Sequence, residues 1–199
     1  MHRRPAAALG LLAFGIVFAS GAGGQTPGPE LFDKVSSQTL ASHVQCHVHP
    51  RWIVVEKPLR EDLASDFFLR PASSKRCDVD SLAGDFVLRN QWAAYFCGIR
   101  EDVLFLDRGT GPDERLLILY DLEARKKMTE IRYTPDGGVI RGRDSLTLGV
   151  WVPADMRATV PKCPPREDGM TLGVDSLFWL NVRTGQTRFA CRTRCVGKE

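Results

Sequence analysis

The chain has 199 residues, with 27 Lys and Arg against 24 Asp and Glu. A formal charge of +3 is too small to support nucleic-acid binding. Two of the basic residues, Arg3 and Arg4, precede the apolar run Ala6 to Ala19, so the rest of the chain nets only about +1.

That N-terminal order, positive residues, then an apolar stretch, then the small residues Ser20 to Gly24, predicts a secretory signal peptide over residues 1–24. The apolar run of about 14 residues falls short of the about 20 needed to cross a hydrocarbon core of about 30 Å. The first cysteine is Cys46, so no thiol sits at the cut to carry a lipid. The product is expected to be periplasmic or extracellular, and not membrane-embedded after cleavage. Residues 25–42 read as a lead-in with one short helix over Leu31 to Ser42. Residues 43–199 read as a single disulfide-bearing domain, long enough to bury an ordinary core.

From there the sequence reads as strands: Ile53–Glu56, Phe67–Arg70, Asp85–Arg89, Ala93–Ile99, Val103–Asp107, Leu116–Leu122, Met128–Tyr133, Ser145–Val152, Ser176–Val182 and Gln186–Arg192. They are short, rich in β-branched and aromatic residues, and separated by Gly, Pro, Asp or Asn. The spacing leaves little room for crossover helices, so pairing should be antiparallel. The fold class is mainly β, an antiparallel sandwich or barrel with at most a short N-terminal helix. LILYDLEARKKMTEIR (Leu117–Arg132) and LFWLNVRTGQTRFACR (Leu177–Arg192) share an apolar strand, a polar turn and a second strand. The pattern resembles the outer hairpin of a propeller blade, but two copies do not establish a period. They read as two ordinary hairpins.

Six cysteines in an exported chain imply disulfides. Extended chain would place Cys191 and Cys195 roughly 13 Å apart, beyond bridging distance, so they should have different partners. Cys163, in the Pro-rich loop Ala154 to Gly169, is the expected partner of one of them, with Cys46 to Cys77 as a second pair. Cys97, in WAAYFCGI, reads equally well as a buried free thiol. No Cys-x-x-Cys pair supports a zinc ribbon.

His43, His47 and His49 are all the histidines beyond the leader. On a strand, His47 and His49 share a face roughly 7 Å apart and supply two ligands of a zinc or copper site, with a third needed from Glu56 or an Asp. The reading taken instead turns Val44, Cys46 and Val48 to the core, with Cys46 bridged, and the histidines to solvent. Asp78, Asp80 and Asp85 resemble a calcium loop, but Leu82 and Ala83 break the EF-hand pattern, and a solvated loop is the reading taken. No Gly-x-Ser-x-Gly elbow or phosphate loop is present, and no catalytic residue is assigned. Asp107 to Arg115 (DRGTGPDER) reads as a solvated hairpin loop, or as a recognition loop displaying Asp107, Arg108, Asp113, Glu114 and Arg115, and Ala154–Gly169 is a second recognition candidate. The reading favoured is an exported, non-catalytic binding or inhibitor-like module whose partner is a protein or a cell-envelope polymer, with no cofactor. The alternative is a metal-dependent periplasmic enzyme using His47 and His49.

Overall fold

The computed structural model describes residues 31–40, 43–59, 63–109, 111, 115–135, 137–154 and 171–198. Residues 1–24, expected as a signal peptide, lie outside them. Among the described residues thirteen strands form three antiparallel sheets in which neighbours in sequence are neighbours in space, and no barrel closes. The first sheet holds β1 (Ser36–Thr39), β2 (Gln45–Val48), β3 (Trp52–Pro58), β4 (Ala64–Pro71) and β5 (Phe86–Trp92). The second holds β6 (Ala94–Arg100), β7 (Val103–Arg108), β8 (Arg115–Asp121) and β9 (Lys126–Tyr133). The third holds β10 (Val139–Arg141), β11 (Thr147–Pro153), β12 (Thr171–Asn181) and β13 (Thr187–Lys198). All ten expected strands are present, and β1, β2 and β10 are additional.

The helix expected over Leu31–Ser42 is replaced by β1, which pairs antiparallel with β2 through Ser37 and His47. Its two apolar residues explain why. Leu31 and Phe32 do not begin an amphipathic face; both are buried in the core between the second and third sheets. Phe32 packs on Gly98, where a Cβ would come within 2.5 Å of the ring. With those residues anchored, the polar Ser36–Thr39 follows as an exposed edge strand.

The sheets stack face to face because the second sheet is apolar on both sides. Along β7, Val103 and Phe105 join the cluster shared with Leu148, Val150 and Leu180 of the third sheet. The alternate residues Leu104 and Leu106 join Val54, Phe67 and Leu69 of the first sheet. In β8, Leu117 and Leu119 face one way, and Ile118 and Tyr120 the other. Strands covered on both faces read as continuous apolar runs rather than alternating ones, as in LLILY. Each fully buried Leu, Ile or Phe contributes about 1.5–3 kcal/mol, so these two interfaces supply most of the stability.

The outer face of the first sheet is covered too. Val44, Cys46, Ile53, Val55 and Phe68 form a third cluster, and the segment between β4 and β5 lies over it, tied down by the Cys46–Cys77 disulfide. Arg70, almost wholly buried, holds that segment from within. Its guanidinium donates to Asp85 at 2.8 Å, to Asp78 at 3.4 Å and to the carbonyls of Arg76 and Asp80. Lys57 takes the Asp80 carboxylate at 2.6 Å. The three aspartates of the calcium-like sequence are thus paired with side-chain cations of the protein.

The two similar segments are hairpins, β8–β9 and β12–β13. Each is the closing hairpin of its own four-stranded meander, so the similarity marks equivalent places in successive sheets.

Candidate functional site

The histidine segment is oriented opposite to the solvent-facing reading. His47 and His49 are buried, at 9% and 4% exposure, whereas Val48 is exposed. On β2, Cys46 points under the covering segment, so its neighbour His47 points toward the second sheet and stacks on Phe96 with centroids 4.0 Å apart. Two-way alternation fails here because both faces of this strand are covered. His43 is exposed.

The two buried rings have separate partners. His49 accepts the Arg51 backbone N–H at Nδ1 (3.2 Å), which leaves Nε2 protonated to donate to Asp33 at 3.1 Å. His47 Nδ1 is 2.8 Å from the Ser37 hydroxyl, and its buried Nε2 lies 3.5 Å from Glu56, too far for a good hydrogen bond. Among the described residues no three His, Cys, Asp or Glu side chains gather as a metal ion requires.

Asp107 and Arg115, at the two ends of the expected recognition loop, also turn inward. Asp107 is buried, and Arg115 donates to both its oxygens at 2.7 Å while lying over the Tyr95 ring. Desolvation, followed by the Asp107 charge, raises the pKa of Cys97 and holds that of Tyr133 far above the usual tyrosine range. Of the three expected charges among the described residues, only Arg108 reaches outward, and it contacts Glu130 at 3.3 Å. Asp113 and Glu114 lie outside the described residues.

The cysteines divide as follows. Cys46 and Cys77 are joined, Cys195 is disulfide-bonded, and Cys97 and Cys191 are free thiols. Cys163 and the rest of its loop beyond Ala154 fall outside the described residues.

An open recess that sequence reading did not single out lies on the outer face of the third sheet. Leu148, Val150 and Leu180 point into the core, so alternation turns Gly149 and Trp179, which are register partners, to the outside. Gly149 makes room for the indole: a Cβ there would come within 3.0 Å of the Trp179 ring and 2.5 Å of Ile140. Arg188, opposite Trp179 on β13, shares its face. Arg143, Thr147, Asn181 and Gln186 complete a rim around the half-buried indole, enclosing about 430 Å³.

Further along the same face the surface is closed. Arg194 covers Trp151 at 4.6 Å from the ring centroid and pairs with buried Asp175 at 3.1 Å. Around Trp179 it is open, and neither Arg143 nor Arg188 has a carboxylate partner among the described residues.

Both walls of the recess are braced. Asn181 Oδ1 accepts the backbone N–H groups of Arg183 and Thr184 at 3.0 Å each, shaping the β12–β13 turn. The β10–β11 turn is held from beneath by buried Arg100, which donates to the carbonyls of Ser145 (2.6 Å), Asp144 (2.9 Å) and Leu31 (3.0 Å). Asp144 Oδ1 in turn accepts the Leu146 N–H. The recess therefore combines an aromatic floor, unpaired cations and amide and hydroxyl groups on braced turns, which suits reversible recognition of a polar ligand.

Comparison of the chain with protein-family models, with curated proteins and with solved structures returns no match.

Proposed function

We propose that the protein is an exported, non-catalytic binding module that recognises a cell-envelope polymer through the outer face of its third sheet. The observation that carries this reading is the Trp179 recess, open, ringed by polar side chains and flanked by arginines without carboxylate partners among the described residues. Export rests on the leader, and the Cys46–Cys77 disulfide supports an oxidising compartment. A preformed polar surface favours polymer binding over catalysis: His47 and His49 are buried, and Cys97 is a desolvated thiol. No described helix is long and apolar enough to cross a membrane.

The test is cosedimentation of the mature protein with purified envelope polysaccharide, with the polymer's chain length and reducing ends measured in parallel. Saturable retention with no change in the polymer supports a binding module. Shortened polymer would make it an enzyme. Stoichiometric zinc or copper in the purified protein, lost in a His47→Ala, His49→Ala variant, would support the metal-dependent alternative instead.

A further inference from the structure

We infer that the ligand of this recess is an acidic glycan, a polymer carrying uronic-acid carboxylates; the inference rests on the binding reading above and specifies its ligand. Three features select that chemistry. The indole of Trp179 presents a flat apolar surface, which matches the C–H face of a pyranose ring while leaving the sugar hydroxyls pointing outward. Around it, Thr147, Asn181 and Gln186 offer hydroxyl and amide groups. These both donate and accept, as sugar hydroxyls do. The Asn181 Oδ1 is already committed to its own turn, so its NH2 group, which has no partner among the described residues, is the part available to a ligand.

The charge pattern specifies the acidic class. Arg143 and Arg188 stand on two different elements, the β10–β11 turn and β13, on either side of the indole. An arginine fork matches a planar carboxylate in two parallel hydrogen bonds. A stacked uronate ring would place its carboxylate at the edge of the indole, where such a fork can meet it. Asp144 on the same rim is exposed and accepts hydroxyl protons, and the two arginines outweigh its single charge, so the rim stays net positive. A nucleic acid would need a broader cationic surface than the two arginines of this rim supply. A peptide would need an apolar pocket, whereas this rim is polar apart from one aromatic residue. The volume of about 430 Å³ falls within the about 300–1,000 Å³ usual for ligand sites and accommodates a short run of sugar rings.

The experiment is isothermal titration of the mature protein with galacturonic-acid oligomers, and with uncharged galactose oligomers of equal length. The account expects saturable binding of the acidic series, at least about tenfold weaker binding of the neutral one, and weakening by added salt, as screened charge pairs require. Trp179→Ala should lower affinity by at least about 30-fold, as removal of a central aromatic anchor does. An Arg143→Gln, Arg188→Gln double variant alters only exposed side chains and should lose the preference for the acidic series while keeping its melting temperature. Equal affinity for both series, or acidic binding unchanged in both variants, overturns the inference. If the protein still retains envelope polysaccharide in that case, the binding reading survives and only the ligand class fails. If it retains none, both fail.

Discussion

Arg100 links the core to the recess, and its replacement by methionine separates the two contributions. The guanidinium, 6% exposed, donates to three backbone carbonyls, those of Leu31, Asp144 and Ser145. Burial lowers its pKa from the usual arginine value, with Asp33 acting in the opposite direction. In Arg100→Met the Leu31 carbonyl remains buried without a donor, which costs about 1–3 kcal/mol. Asp144 and Ser145 lie in an exposed turn, so water replaces their lost partner, and each bond contributes about 0.5–1.5 kcal/mol. Loss of a buried cation offsets part of the total. A net loss of about 2–4 kcal/mol corresponds to a fall of roughly 5–15 °C in melting temperature for a chain of this size. The β10–β11 turn should loosen at the same time, seen as faster hydrogen exchange at Leu146 and Thr147 and weaker ligand binding. Arg100→Lys, which can reach fewer of the carbonyls, should fall between. A melting temperature within roughly 2 °C of wild type, with unchanged exchange at those amides, would refute the bracing role.

Four further outcomes follow from the cysteines and the buried Arg70–Asp85 pair. Cys77→Ser opens a link between residues 31 apart and should cost about 3–4 kcal/mol on the chain-entropy account, read from denaturant melts; a loss below about 1 kcal/mol would contradict it. Arg70→Met strands the buried Asp85 carboxylate and should cost about 3–5 kcal/mol, most of it restored in Arg70→Met, Asp85→Asn; an additive cycle would show that the two do not act as a pair. Non-reducing peptide mapping should link Cys195 to Cys163, because the other four cysteines are either paired together or free. A bridge from Cys195 to Cys191 would contradict that assignment. Since the fold raises the Cys97 pKa, it favours the protonated thiol. That contribution is complete below the unfolded thiol pKa of about 8.5 and is lost as pH rises. Melts from pH 7 to 10 should therefore decline less steeply in Cys97→Ala than in wild type.

The strands were legible where apolar residues are bounded by turn residues, and illegible where they are not. β1 (SSQT) and β2 (QCHV) carry few strand-forming side chains, and both owe their place to pairing and to the anchoring of Leu31 and Phe32. β10 has three residues, too few to show alternation. The central position of the second sheet was present in the sequence as the unbroken runs VLFL and LLILY, which signal cover on both faces. The same double cover inverted the histidine reading: assigning one face of β2 to solvent was the error, because Cys46 lies under a stapled segment and His47 against the neighbouring sheet. The Cys46–Cys77 pair was expected from the even cysteine count and was found. The Trp179 recess was not, because its residues come from the β10–β11 turn, β12 and β13, which only the sheet register brings together. The signal available was Trp179 alternating with inward-facing leucines opposite a glycine, and its meaning depends on knowing that pairing.

The most direct test of the account is an NMR titration of the mature protein with a galacturonic-acid tetramer, following the side-chain N–H resonances. The account predicts saturable shifts at the Trp179 indole and at the Arg143 and Arg188 guanidinium groups, with the buried His47 and His49 rings unmoved. Shifts centred on His47 and His49, or none at Trp179 at saturating ligand, would contradict it.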